Sequence, residues 1–139
     1  YGYHLDLHSS PPRRSSDLLS RLAKQFGDDP YYPVNLALLQ AFGNDTSALK
    51  TLEPVLKSLG KPVVQWTEYD GTYSLDAAVV LAWCGEPQQA VEMLSKSLDA
   101  PFGAHAALVA IDPVWRPLYK TPAFATLLAS HGQTLARAP

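Results

Sequence analysis

One cysteine and one methionine are all the sulfur that this chain of 139 residues carries. With Cys84 alone, an intrachain disulfide and any cysteine-based metal cluster are excluded, and its place at the end of an apolar stretch predicts a buried structural thiol. Cysteine usage leaves the compartment open, with the cytoplasm favoured. Charge is scarce as well. The 11 basic and 13 acidic residues give a formal net charge of −2, evenly spread, so the clustered Lys and Arg of a nucleic-acid or acidic-membrane surface are missing. No direct nucleic-acid partner is expected. No apolar run approaches the roughly 18 residues of a membrane span, and the first residues lack the basic start and apolar core of a signal peptide. There is no glycine-rich phosphate loop and no Gly-x-Ser-x-Gly nucleophile turn. His105 and His131 stand near expected helix ends with no nucleophile beside them, and Asp28-Asp29 reads as a loop cluster rather than an acid/base pair. The expectation is a protein that is not an enzyme and takes no cofactor.

What is present is apolar residues at helical spacing, 47% of the chain being hydrophobic, enough for one compact domain with a core. Residues 73–98 give the clearest pattern, two helices folded back on each other. Leu75, Ala78, Val79, Leu81, Ala82 and Trp83 make the first apolar on nearly every side, which predicts a helix surrounded by other helices. Gly85 stops it, and Glu86-Pro87 restarts the chain, because proline has its φ preset and lacks a donor that the first helical turn leaves unpaired anyway. Ala90, Val91, Leu94 and Leu98 then form a single apolar stripe.

In chain order, residues 1–14 are expected to be an extended segment or linker, residues 15–132 the helical domain and residues 133–139 a loose tail. Residues 1–8 alternate, so that His4, Asp6 and His8 share one face of a short strand; these are ligand types for zinc, against which stands a solvated terminus. The prolines of residues 9–14 (SSPPRR) forbid helix. A start at Tyr1 rather than Met leads us to expect a domain of a longer protein. Ser15 or Ser16 caps a helix with the stripe Leu18, Leu19, Leu22, Ala23 and Phe26. A second helix covers residues 31–42, and residues 43–45 end it and supply the next cap. A third runs from Thr46 towards Leu59, with Pro54 expected to kink or shorten it. Residues 60–71 read as an irregular loop carrying Trp66 and Tyr69.

Superposing the two best hairpins at an offset of 42 residues pairs Tyr31 with Tyr73, Leu39 with Leu81, Gly43 with Gly85, Ala48 with Ala90, Leu52 with Leu94 and Leu56 with Leu98. A turn glycine, a small residue early in the second helix and a bulky one after it resemble the tetratricopeptide repeat, whose usual period is about 34; the loop of residues 60–71 accommodates the excess. The tail is similar to the pattern Asp-Pro-x-aromatic-x-Pro-Leu…Pro-x-Phe-x-x-Leu-Leu, here from Asp112 to Leu128, that closes the C-terminal tetratricopeptide region of many bacterial proteins, including multidomain signalling enzymes and transcription regulators. Asp112-Pro113 and Thr121-Pro122 each place a capping residue before a proline, and Trp115, Leu118, Phe124, Leu127 and Leu128 are suited to covering the exposed end of an array.

The resemblance implies an all-α fold: antiparallel helical hairpins in a right-handed superhelix with a C-terminal capping helix. It also implies a concave face made by the first helix of each pair, with Ala37, Gln40 and Ala41 from one repeat and Leu75, Val79, Ala82 and Trp83 from the next binding a protein or peptide partner. With no Lys or Arg clamp among them, such a face suits an apolar segment better than an acidic tail. The competing expectation is a regulatory or ligand-sensing domain of a larger protein, in which the loop of residues 61–70, with Trp66 and Tyr69, shapes a pocket.

Overall fold

Helical spacing of apolar residues is matched by helices in the computed structural model, which describes residues 17, 18, 21–25, 27–29 and 31–135 and has no strand among them. The readings made for residues 1–14, the His4, Asp6 and His8 trio included, and for residues 136–139 lie outside the described residues. Contacts divide the chain into two compact units, Tyr1–Tyr32 and Pro33–Pro139. In the first, residues 17, 18 and 21–25 are helical, and Leu18 of the expected stripe is 53% exposed.

The second unit holds the main core. Its helices are α1 (Tyr32–Phe42), α2 (Ala48–Ser58), α3 (Glu68–Trp83), α4 (Pro87–Asp99), α5 (Ala106–Ile111) and α6 (Pro122–Ser130), with 3-10 turns at Val63–Gln65 and Pro113–Leu118. Packing is centred on α3, which touches α2, α4 and the second 3-10 turn, while α6 lies on α4. That centrality follows from composition: Ala77, Ala78, Val80 and Leu81 are all at 0–1% exposure, so α3 is covered on several sides. Helices α2 and α4 instead bury one face each, through Ala48, Leu52 and Val55 and through Ala90, Val91 and Leu94.

Local chemistry accounts for the ends. Thr67 and Asp70 form a capping box: the Asp70 carboxylate accepts from the Thr67 backbone N–H at 2.7 Å, and the Thr67 hydroxyl accepts from the Asp70 N–H at 3.4 Å. This Thr-x-x-Asp signal starts α3 at Glu68, so the irregular segment is shorter than the expected residues 60–71. At the other end, Gly85 adopts φ +78° while its N–H donates to the Ala82 carbonyl and that of Glu86 to the Leu81 carbonyl, the paired bonds of a Schellman ending. Helix α1 ends the same way, but the left-handed residue is Asn44 at φ 56°, not Gly43. Helix α2 continues through Pro54 to Ser58, with Pro54 on its exposed side.

A polar seam joins α3, α4 and the segment after α4. Ser74 donates to the Gly71 carbonyl at 2.7 Å, and the buried Ser97 hydroxyl accepts from the Ala104 N–H at 3.1 Å. A Cβ on Gly71 would stand 2.7 Å from the Phe102 carbonyl oxygen, so this approach requires glycine. Of the five apolar C-terminal residues named above, four are buried and Leu127 is half-buried. Trp115, Leu118, Phe124 and Leu128 are at 0–1% exposure, with the Trp115 and Phe124 rings 6.3 Å apart, and the Asp112 carboxylate accepts from the Val114 N–H at 2.9 Å. Thr121 occupies the start of α6 without a side-chain capping bond.

Candidate functional site

Helices α1, α3 and α5 border a cleft of about 420 Å³. From α1 come Leu38 and Phe42; from α3 come Leu75, Asp76 and Val79; His105, Leu108 and Val109 of α5 and its start form the opposite side, and Val114 and Trp115 close it. These walls are mostly apolar, and part of that surface faces water: Phe42 is 47% exposed and Leu108 60%. Large apolar groups left open around a concavity are the usual mark of a binding surface.

Trp83 ties two of the walls together. Its indole N–H donates to the Val114 carbonyl at 2.8 Å, and its ring meets Phe42 edge to face at 5.1 Å between centroids. On its far side a smaller cleft of about 250 Å³ is lined by Asn44, Asp45, Leu49 and Cys84 among others. Cys84 is half-buried rather than buried, because it sits at the end of α3; burial and the nearby Glu86 carboxylate push its thiol above the usual range. It is therefore protonated at neutral pH.

Asp76 is the one ionisable group on the α3 wall. Among the described residues its carboxylate has no hydrogen-bond or ion-pair partner, and no Lys or Arg lines the cleft. Desolvation by the surrounding apolar atoms raises its pKa above the ordinary 3.8. Asp112 also borders the cleft, but its carboxylate is already engaged by the Val114 N–H.

The expected contact residues divide. Leu75 and Val79 line the cleft, although Val79 is only 5% exposed. Ala37, Ala41 and Ala82 are at 0%, 2% and 4%, so they are core residues and have no surface to offer a partner. Gln40 is half-buried, and its Oε1 is enclosed with no hydrogen-bond partner among the described residues. Trp83 is 38% exposed and acts as the tie just described. For Ala37 and Ala41 the reason is a register error of one residue. The two Schellman endings set Phe42 equivalent to Trp83 and Asn44 to Gly85, an offset of 41 (83 − 42 and 85 − 44), whereas the second helices match at 42 through Ala48 with Ala90 and Leu52 with Leu94. At 41, Leu38 falls opposite Val79, and Ala37 and Ala41 opposite the buried Ala78 and Ala82.

Trp66 and Tyr69 do not line this cleft. Trp66 donates its indole N–H to the Lys61 carbonyl at 3.1 Å, and Lys61 pairs with Asp70 at 2.8 Å, so the loop's polar groups serve its own closure. Tyr69 is 51% exposed. Sequence reasoning missed Leu38, Phe42, Leu108 and Asp76. Asp76 carried a legible signal, as an acid set among Leu75, Ala77, Ala78 and Val79. Among the described residues no group of three His, Cys, Asp or Glu could hold a metal ion, and no helix is long and apolar enough to cross a membrane. No protein-family model, curated protein or solved structure matches the chain.

Proposed function

We propose that this chain is a non-catalytic protein-interaction module whose cleft between α1, α3 and α5 holds a peptide segment of a partner protein. The observation that carries this reading is the cleft itself: a concavity of about 420 Å³ between α1, α3 and α5, with Phe42 and Leu108 exposed along it. A tetratricopeptide-like stacking of the pairs into a right-handed superhelix fits that placement, and the pattern from Asp112 to Leu128 supports a place within a larger bacterial signalling or regulatory protein.

The test is selection of peptides from a displayed random library on the full chain, followed by affinity measurements on variants. Leu108→Glu, at a position exposed enough to accept a charge, is expected to weaken the selected peptides about tenfold or more without lowering the melting temperature appreciably, and Phe42→Ala to weaken them similarly with some loss of stability, because its ring packs on Trp83. Peptides that bind both variants as well as the parent would show that the cleft is not their site. The cleft volume also lies within the roughly 300–1,000 Å³ of small-molecule sites, which favours a ligand-sensing module as the second reading. Small molecules that raise the melting temperature in a manner abolished by Leu108→Glu, with no peptide selected, would put that reading first.

A further inference from the structure

We infer that the cleft selects a peptide carrying an arginine side chain between apolar residues, with the guanidinium pairing with Asp76. This deepens the peptide-groove reading and rests on it.

The argument starts from an incomplete electrostatic arrangement. A carboxylate withdrawn from water among apolar atoms costs free energy unless a cation or several donors meet it. Elsewhere on the same helix that requirement is satisfied, since Asp70 has Lys61 at 2.8 Å and the Thr67 N–H at 2.7 Å. Asp76 is half-buried, has no such partner among the described residues, and lines the cleft. The other titratable groups bordering the cleft are Asp112 and His105. Asp112 adds a second negative charge, and no Lys or Arg offsets the two. The cleft therefore favours a cation and disfavours an anion, which excludes an acidic peptide.

Arginine fits better than lysine. Its guanidinium is less strongly hydrated, so entering a desolvated cleft costs less, and its planar fork can donate two bonds to one carboxylate and stack on aromatic faces. The half-exposed Phe42 ring borders the same space, and Leu38, Leu75 and Leu108 supply apolar surface for the neighbouring residues.

The experiment uses the full chain and the library-selected peptides. Their sequences are expected to be enriched in arginine flanked by apolar residues. In a synthetic peptide, replacing that arginine by citrulline, which keeps the shape and removes the charge, is expected to weaken binding to the parent about tenfold or more. Against Asp76→Asn the same replacement is expected to change affinity less than about twofold, because the charged partner is gone. An equal citrulline effect on parent and variant, or selected peptides without basic residues that still depend on Leu108, would overturn the Asp76 assignment and leave the peptide groove standing. Failure to select any peptide, or binding indifferent to Leu108→Glu, would overturn both. The citrulline comparison on the parent alone also decides the matter should Asp76→Asn alter the fold: no loss there sinks the proposal.

Discussion

Asp70 and Asp76 lie on the same helix and titrate in opposite directions. Burial works to raise the Asp70 pKa, but hydrogen bonds from Lys61, the Thr67 N–H and the Thr67 hydroxyl, together with the Lys61 charge, outweigh it and leave the value below 3.8. For such a group the native state has released its proton where the unfolded chain still holds one, so its stabilisation is present above pH 3.8 and is lost as pH falls through the lowered value. Asp76 is the reverse. Its raised value means that the native state keeps a proton above pH 3.8 after the unfolded chain has lost one, so stability falls as pH rises through that window. Two substitutions test the pair in thermal melts from pH 3 to 8. Asp70→Asn is expected to lower stability at neutral pH by about 1–2 kcal/mol, since Asp70 is buried and Lys61 only partly so, with the deficit shrinking in acid. Asp76→Asn is expected to melt higher than the parent at neutral pH, the gain vanishing towards pH 3.8. A gain that persists unchanged in acid would mean that desolvated charge is not its cause.

At the scale of elements, the hairpin turns decide where each helix stops and hence which residues are equivalent. Gly85 occupies a left-handed conformation in which a Cβ is strained, whereas the left-handed position after α1 belongs to Asn44, a residue that tolerates it through its short polar side chain. The two glycines that match in sequence should therefore respond differently. Gly85→Ala is expected to cost about 1 kcal/mol in chemical denaturation and Gly43→Ala less, because Gly43 has no positive φ and the nearest atom its Cβ would meet is the Leu39 carbonyl oxygen, at 3.2 Å. Equal costs at both would show that the left-handed conformation is not what makes glycine necessary at Gly85.

For the second unit as a whole, the C-terminal segment completes the core. Trp115 and Phe124 are at 1% and 0% exposure, in the 3-10 turn packed on α3 and the helix packed on α4. Replacing either by alanine removes a large buried aromatic and leaves a cavity, for which about 3–5 kcal/mol is the expected cost. Against a total of about 5–15 kcal/mol for a domain, either change should bring the melting temperature down by many degrees. A shift of only a degree or two for both would show that this segment does not complete the core. Costs of this size would mean that α3, packed against α2 and α4, needs the 3-10 turn of the tail to finish its burial.

Much of this was determined by the amino-acid sequence alone, wherever the cause is local. Pro87, Pro113 and Pro122 start their elements because proline suits the first helical turn, Gly85 ends α3 because it tolerates positive φ, and Trp115, Leu118, Phe124 and Leu128 are buried because they recur on one side of short helical turns. The all-helical character followed from the same periodicity. Only the tertiary structure decided which sides of the first helices face the cleft. A helix such as α3, apolar nearly all round, has no polar face to mark its outside, and burial is not directional, so the choice between Ala37 and Leu38 falls to what packs against them. The same holds for Gly71, whose need to be glycine comes from Phe102 some thirty residues away, and for Asp76, whose desolvation depends on α1 and α5 arriving at the same cleft. Contacts between residues distant in the chain create those environments, and no local spacing encodes them.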